Sequence, residues 1–285
     1  MVSPVPLPYR QVMTDPLHRI ADALERLAAP AVSPGSDPAT GGWFCWQDRS
    51  LAAVPPPRLT PLALYAGVDA QKSQLHENAR RHAAGLPAHD VLLWGARGMG
   101  KSSLVRAVHG ALIAGGADIA LVQLAAPDLA DLSRLFERLA ACPRRFTVFL
   151  DDLTLDGDGG QVHALRSLLD GGVMARPDHV RLVVTSNRRN LAPRGHATAD
   201  HDAINPRDAA DDQLALADRF GLRLGFHACD QADYLTICAN YAAAHGLGFD
   251  PAAALAWAAG RGARSGRVAW QFTIETAGAA GLSLG

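Results

Sequence analysis

From residue 91 onward, short apolar runs alternate with segments whose apolar residues recur at helical spacing. Continuous apolar runs of this kind are typical of parallel strands that are covered by helices on both faces. The pattern therefore predicts an α/β domain over residues 62–228, built on a five-stranded parallel sheet. The predicted strands are Val91–Trp94, Ile119–Leu124, Phe146–Leu150, Val180–Val184 and Leu222–Phe226.

The regions on either side of this domain have different patterns. After Phe226 no further strand-like run occurs, and the Ala-rich residues 229–285 are predicted to form a small all-helical lid. At the other end, a helical pattern over residues 14–29 precedes a Pro- and Gly-rich stretch, so residues 1–61 are predicted to be a helical extension and linker. The cluster Trp43, Phe44 and Trp46 is interpreted as a packed anchor rather than a binding cage.

The Gly-rich segment after the first predicted strand fits the pattern G-x-x-x-x-G-K-[ST] at every position. Its glycines let backbone N–H groups converge on an anion, and the following helix directs its dipole at the phosphates. Lys101 would carry a compact charge to the β- and γ-phosphates, and the Ser102 hydroxyl would bind Mg²⁺. The loop residues predicted to contact nucleotide are Gly95, Ala96, Arg97, Gly98, Met99, Gly100, Lys101, Ser102 and Ser103.

Two adjacent carboxylates, Asp151 and Asp152, come directly after the third predicted strand. We interpret Asp151 as a residue that holds Mg²⁺, through a water molecule. Asp152 would orient and polarise the attacking water. Because neighbouring carboxylates disfavour double ionisation, a bound cation would relieve their repulsion.

Three polar residues on later elements complete the candidate site. Asn187 ends the fourth strand, at the sheet edge where side chains line a ligand crevice, and could position the lytic water beside Asp152. Arg219 ends a helix, where either the helix dipole or a role as an arginine finger explains it. Arg267 is predicted in the first turn of a helix capped by Ser265, where the dipole disfavours a cation, so a nearby anion is the better explanation.

Charge and cysteine content narrow the class of protein. The 285 residues carry a formal net charge of −1, which argues against a globally basic nucleic-acid binder. The four cysteines form no C-x-x-C pair, and neither a signal peptide nor a membrane-spanning apolar run is visible, so we expect a cytoplasmic protein. Only Lys72 and Lys101 are lysines among the 27 Lys and Arg residues, and Lys101 occupies the position where the phosphate loop requires lysine.

Together these motifs resemble the AAA+ ATPases, and more closely a bacterial family of AAA+ proteins labelled as a domain of unknown function. The resemblance covers residues 62–275, through the segments 67–72, 92–103, 151–153, 170–173, 185–189, 218–221 and 265–269. It implies that the five predicted strands, numbered in chain order, lie across the sheet in the order 5-1-4-3-2. It also implies ATP and Mg²⁺ as cofactors and assembly into a homo-oligomeric ring.

The resemblance also implies roles for single residues. Tyr65 to Val68, including Gly67, would border the adenine, Asn187 would be sensor 1, Arg219 would act in trans as the finger, and Arg267 would be sensor 2. Two positions depart from the pattern. Asp152 stands where typical AAA+ enzymes carry the longer Glu, although the more closely resembling family uses Asp there, and the shorter side chain implies slow hydrolysis. Met99 replaces the Thr common in that family, at a position that contributes mainly backbone.

Three functions stay open at this point. The leading hypothesis is an ATPase that remodels an unidentified protein client, and the second is a nucleotide-gated binding switch with little turnover. The third is a DNA-associated ATPase similar to helicase loaders, since Arg188, Arg189, Arg194 and Arg207 could contact phosphates. The aspartates interleaved in residues 200–212 and the net charge disfavour DNA. The longer stretch 188–212 also contains His196, Asp200, His201 and Asp202, but a surface loop is favoured there over a metal site.

Overall fold

The computed structural model describes residues 35–153, 165, 169, 176–187 and 216–284. Within them a single mixed sheet contains seven short strands, and its inner strands are largely buried. The strands are β1 (Trp43–Gln47), β2 (Ser50–Ala53), β3 (Val91–Gly95), β4 (Ile119–Leu124), β5 (Arg145–Leu150), β6 (Val180–Ser186) and β7 (Leu222–Phe226).

The order across the sheet is β2-β1-β4-β5-β6-β3-β7. Every neighbouring pair is parallel except β1 and β2, which are antiparallel. The predicted count of five strands is wrong, because β1 and β2 extend the sheet beyond β4. The five strands that the apolar runs predicted follow one another as β7-β3-β6-β5-β4, which is the relative order that the resemblance implied.

The two additional strands form a hairpin inside the region predicted to be a helical extension and linker, so that prediction is wrong for residues 43–53. Asp48 and Arg49 join the strands with φ angles of 50° and 59°, as in the two-residue turns whose twist suits a hairpin. Asp-Arg is not one of the usual turn sequences, which explains why the hairpin is hard to predict. Trp43, Phe44 and Trp46 are buried, as expected of a packed anchor.

Helices cover both faces of the sheet, as predicted for apolar parallel strands. On one face Leu132, Leu135 and Leu139 pack against buried residues of β4, β5 and β6. The other face is covered by the remaining helices. The helices are α1 (Asp69–Ala83), α2 (Lys101–Ala114), α3 (Leu132–Ala140), α4 (Gln231–Ala244), α5 (Pro251–Gly260) and α6 (Gly266–Ala279), with 3₁₀ turns at Leu62–Leu64 and Ala126–Asp131.

The three helices after β7 each begin with a side-chain cap. Asp230, Asp250 and Ser265 accept hydrogen bonds from backbone N–H groups of α4, α5 and α6. This confirms the predicted cap at Ser265. These helices pack against the α/β layers, and Ser36–Gly285 forms one compact unit, so the division between residues 228 and 229 stays a prediction.

Several predictions lie outside the described residues: the helix over 14–29, most of the helix over 162–169, and the stretch 188–212 with its arginines and histidines. In the part of the chain that the structure describes, no helix combines the length and the apolar character needed to cross a membrane.

Candidate functional site

The phosphate loop joins β3 to α2, and its glycines adopt backbone conformations that other residues rarely use. Gly95, Gly98 and Gly100 have φ angles of 122°, 76° and 85°. A Cβ atom on Gly95 would lie 2.1 Å from the Phe226 carbonyl oxygen, so only glycine fits where β3 ends beside β7. Gly100 directly precedes the first residue of α2, which gives the loop the strand-turn-helix context that the motif requires.

Lys101 extends across this loop toward the end of β6. Its side chain is buried, with 5% exposure, and its Nζ donates to the carbonyl oxygens of Gly95 and Ala96 at 2.9 Å and to Asn187 Oδ1 at 3.0 Å. Burial lowers the pKa of Lys101 from 10.5 to about 8, although Asp152 and Asp151 act in the opposite direction. An incoming anion would further stabilise the charged form of this lysine.

Asp151 lies at the end of β5, where side chains from two other elements meet it. Its Oδ1 accepts hydrogen bonds from Ser102 at 2.5 Å and from Thr185 at 2.7 Å, and its Oδ2 accepts from Arg106 at 2.9 Å. The Ser102 hydroxyl and the Asp151 carboxylate are therefore adjacent oxygen donors. Hard oxygen donors of this kind suit Mg²⁺, so the residues present fit the predicted ion.

Asp152 adopts a left-handed backbone conformation, with φ of 55°. Its N–H donates to Thr185 Oγ1 at 2.8 Å, and its side chain accepts a hydrogen bond from Asn187 Nδ2. Asp and Asn tolerate this conformation better than longer side chains do. The backbone thus gives a physical reason for the shorter Asp at a position where the resemblance leads one to expect Glu.

These groups form the floor of a cleft of 810 Å³ between the sheet edge and helices α4 and α6. One wall carries Tyr65, which contacts the loop: its hydroxyl is hydrogen-bonded to that of Ser103, and a Cβ atom on Gly100 would lie 3.3 Å from its ring. Burial raises the pKa of Tyr65 to about 12, so its hydroxyl stays protonated. The cleft is lined further by Val68, Ile237, Tyr241, His245, Arg267 and Trp270.

Other predicted residues take different positions relative to this cleft. Arg267 lines it, and its backbone N–H donates to the Gly98 carbonyl at 3.1 Å, which ties α6 to the phosphate loop. Arg97 and Gly67 are not among the lining residues, although Arg97 is exposed and Gly67 neighbours Val68. Arg219 also lies outside the lining and is half-buried just before β7.

Sequence reasoning missed three contributors to the cleft. Arg106, on α2, contacts Asp151 from a position that the loop motif does not specify. Thr185 touches both aspartates, and its place two residues before Asn187 was the available signal. The third is an aromatic group at α4 and α6, in which the rings of Tyr241 and His245 lie 5.2 and 5.5 Å from the Trp270 ring. Trp270 follows Arg267 at i, i+3 spacing, which was the available signal.

Solved structures with this fold include RuvB from Thermotoga maritima, a Holliday junction branch migration motor. That comparison has a TM-score of 0.50 and 18% identity, and covers 80% of this chain and 67% of that one. The comparison with the ORC1 protein of Aeropyrum pernix, solved in complex with DNA, has a TM-score of 0.52 and 18% identity. It covers 79% of this chain and 62% of that one. The chain spans about two thirds of the length of these neighbours. At this level of identity, the likeness shows that the chain shares the fold of these neighbours.

Among proteins with curated functions, none matches this sequence significantly. A family model does match, and it spans residues 41–280, which include all seven described strands and helices α1 to α6. The match includes the phosphate loop, both aspartates and Arg267. The chain therefore belongs to the family described as "Protein of unknown function (DUF815)".

Proposed function

We propose that this protein binds ATP with Mg²⁺ in the cleft and hydrolyses it to ADP and phosphate. The observation that carries the proposal is the hydrogen bond between Ser102 and Asp151 at the floor of an 810 Å³ cleft that Lys101 also lines. Lys101 is joined to this pair through hydrogen bonds that run by way of Asn187, Asp152 and Thr185. A buried lysine beside converging backbone N–H groups suits phosphates, and adjacent hydroxyl and carboxylate oxygens suit Mg²⁺. The rest of the cleft is large and aromatic enough for a base and ribose.

In the proposed complex the phosphates displace Lys101 from the carbonyl groups that it now contacts, and their charge offsets the burial that lowers its pKa. Ser102 and Asp151 would hold Mg²⁺, which neutralises charge on the β- and γ-phosphates when it is bound. Arg267, on the lid, supports the phosphates from the opposite side of the cleft. The sequence has no N-K-x-D segment of the kind that reads guanine, which favours ATP.

Hydrolysis needs a group that positions water. Asp152 is proposed to accept a proton from that water or to polarise it, and Asn187 to hold Asp152 and the water in place. The hydrogen bond between the Asn187 amide and Asp152 supports this pairing. Arg219 lies outside the lining of the cleft, which supports the proposal that it serves the nucleotide of a neighbouring copy in a ring.

Phosphate release from ATP by the purified protein tests the proposal. Wild-type protein is expected to release phosphate in the presence of Mg²⁺, and Lys101→Ala is expected to abolish release. The control is Arg134→Ala, an exposed change on α3 away from the cleft, which is expected to retain wild-type turnover. Equal turnover by Lys101→Ala and wild type would overturn the proposal.

A nucleotide-gated switch with little turnover is the second candidate, and the short side chain of Asp152 favours it. The left-handed backbone and the hydrogen bond from Asn187 hold this carboxylate close to the strand end. ATP binding without measurable turnover, even at high protein concentration, would favour the switch over the hydrolase. The macromolecule on which the hydrolase or the switch acts, whether protein or DNA, would be found by a search for partners that bind only with ATP.

A further inference from the structure

Arg106 lies on α2, five residues beyond Lys101, and lines the cleft. Its Nη2 is 2.9 Å from Asp151 Oδ2, and its guanidinium carbon is 5.5 Å from the centre of the Phe149 ring. The Arg106 and Asp151 side chains are only 28% and 23% exposed. Water therefore screens this ion pair less than a pair on the open surface.

The other cation at the floor of the cleft is engaged elsewhere. An ammonium group has three donors, and Lys101 directs its own at Gly95, Ala96 and Asn187. Among the residues that the structure describes, Arg106 is the one ion-pair partner of Asp151. The charge that contacts this carboxylate directly is therefore that of Arg106, while Lys101 acts on it electrostatically without forming an ion pair.

We infer that Arg106 is a built-in counter-cation for the metal-binding carboxylate, and this inference rests on the proposed function. Without a metal ion, Arg106 neutralises Asp151 and holds Oδ2 in a fixed direction. Ser102 and Thr185 donate hydrogen bonds to the other oxygen of Asp151, Oδ1. Among the described residues, these two and Arg106 are the hydrogen-bond donors to this carboxylate, and a metal ion that binds it must share or displace them.

The consequence is a site that disfavours a divalent cation on its own. A fixed positive charge beside the carboxylate repels Mg²⁺, whereas a nucleotide brings enough negative charge to outweigh that repulsion. Arg106 thereby couples metal binding to nucleotide binding. It is a positioning residue in this scheme, because it acts through Asp151.

Binding of Mn²⁺ to nucleotide-free protein tests the inference, since Mn²⁺ prefers the same oxygen ligands and free Mn²⁺ is measured directly by electron paramagnetic resonance. Arg106→Gln, which removes the charge and keeps a hydrogen-bond donor, is expected to bind Mn²⁺ about tenfold more tightly than wild type. Arg106→Lys keeps the charge and is expected to bind as weakly as wild type. Arg134→Gln, an exposed change on α3, is the matched control and is expected to leave Mn²⁺ binding unchanged.

A second readout is thermal denaturation without nucleotide. Arg106→Gln is expected to melt below wild type without metal and to gain more from added Mn²⁺ than wild type does. Unchanged, weaker or undetectable Mn²⁺ binding by Arg106→Gln overturns the inference. Binding of ATP by the wild type is measured in parallel. If the wild type binds ATP and Arg106→Gln shows no gain in Mn²⁺ affinity, the inference fails and the proposed function does not. If the wild type does not bind ATP, the proposed function fails as well.

Discussion

The ammonium group of Lys101 donates a hydrogen bond to Asn187 Oδ1 at 3.0 Å. The two residues are 86 positions apart in the chain, at the start of α2 and just beyond the end of β6. They meet because β3 and β6 are parallel neighbours, which brings their carboxyl ends to one edge of the sheet. The other amide atom of Asn187 donates to Asp152, so this one side chain links the phosphate loop to the proposed hydrolytic carboxylate.

Asp152 is predicted to be needed for ATP hydrolysis and not for ATP binding. Asp152→Asn keeps the shape and the left-handed backbone but removes the charge, so we expect ATP binding to persist while turnover falls about a hundredfold or more. Asp152→Glu places a longer side chain in the same backbone conformation and is expected to cost about 0.5–1 kcal/mol in free energy of unfolding. Calorimetric ATP binding, phosphate release and urea denaturation measure the three quantities. Full turnover by Asp152→Asn would exclude Asp152 as the group that activates water.

Arg219 is predicted to act on the nucleotide of a neighbouring subunit. Arg219→Ala is expected to bind ATP normally and to lose about a thousandfold in turnover, as loss of an arginine finger does. Mixing Arg219→Ala with Asp152→Asn is the sharper measurement. Wherever an Asp152→Asn chain supplies its finger to the site of an Arg219→Ala chain, an intact finger meets an intact carboxylate. Phosphate release should rise above that of either variant alone. No rescue in a mixture that co-sediments as an oligomer would show that the arginine does not act in trans.

Gly95 is predicted to be far more sensitive to substitution than a glycine with open space around it. Gly95→Ala would place a Cβ atom 2.1 Å from the Phe226 carbonyl, so we expect a loss of about 3 kcal/mol or more in free energy of unfolding. Gly246 also has a positive φ, of 65°, but a Cβ atom there would meet nothing within 4 Å. Gly246→Ala should therefore cost about 1 kcal/mol, the cost of the backbone conformation alone. Similar losses for the two variants in urea denaturation would contradict the close approach of β3 and β7.

Two buried histidines are predicted to destabilise the protein in acid. Burial lowers the pKa of His82 and of His109 from 6.5 to about 4, and their Nε2 atoms contact the carbonyl oxygens of Phe146 and Gly42. Below pH 6.5 the unfolded chain binds protons that the folded chain does not, so stability falls as the pH drops from 6.5 to about 4, by up to about 3 kcal/mol for each histidine. Melting temperatures across this range should fall less steeply in a His82→Gln, His109→Gln double variant. The same slope in the double variant would assign the acid sensitivity to other groups.

Much of the fold and part of the site could be predicted because their signals are local. A buried parallel strand is a continuous apolar run, and the phosphate loop places its glycines, lysine and serine within eight consecutive residues, Gly95 to Ser102. Once the sheet is parallel, the residues that follow its strands must meet at one edge. That reasoning brought Asp151, Asp152 and Asn187 together before the structure did.

The features that were missed depend on pairing between distant segments. The hairpin of β1 and β2 has short strands and an Asp-Arg turn, and its place beside β4 is set by burial of Trp43, Phe44 and Trp46 rather than by any local motif. Arg106 approaches Asp151 across 45 residues of sequence, and an arginine on a helix is an ordinary surface residue until the neighbouring strand is in place. The left-handed backbone at Asp152 likewise accompanies a hydrogen bond to Thr185, on a different strand, and no local motif indicates it.

Calorimetric titration of ATP with Mg²⁺ into the purified protein tests the central claim most directly. The proposed site predicts saturable binding with one ATP per chain in the wild type. It also predicts a loss of about a hundredfold in affinity for Lys101→Ala, because a buried charged contact to phosphate is removed. Absence of binding by folded wild-type protein, or equal affinity in Lys101→Ala, would contradict the assignment of the cleft as an ATP site.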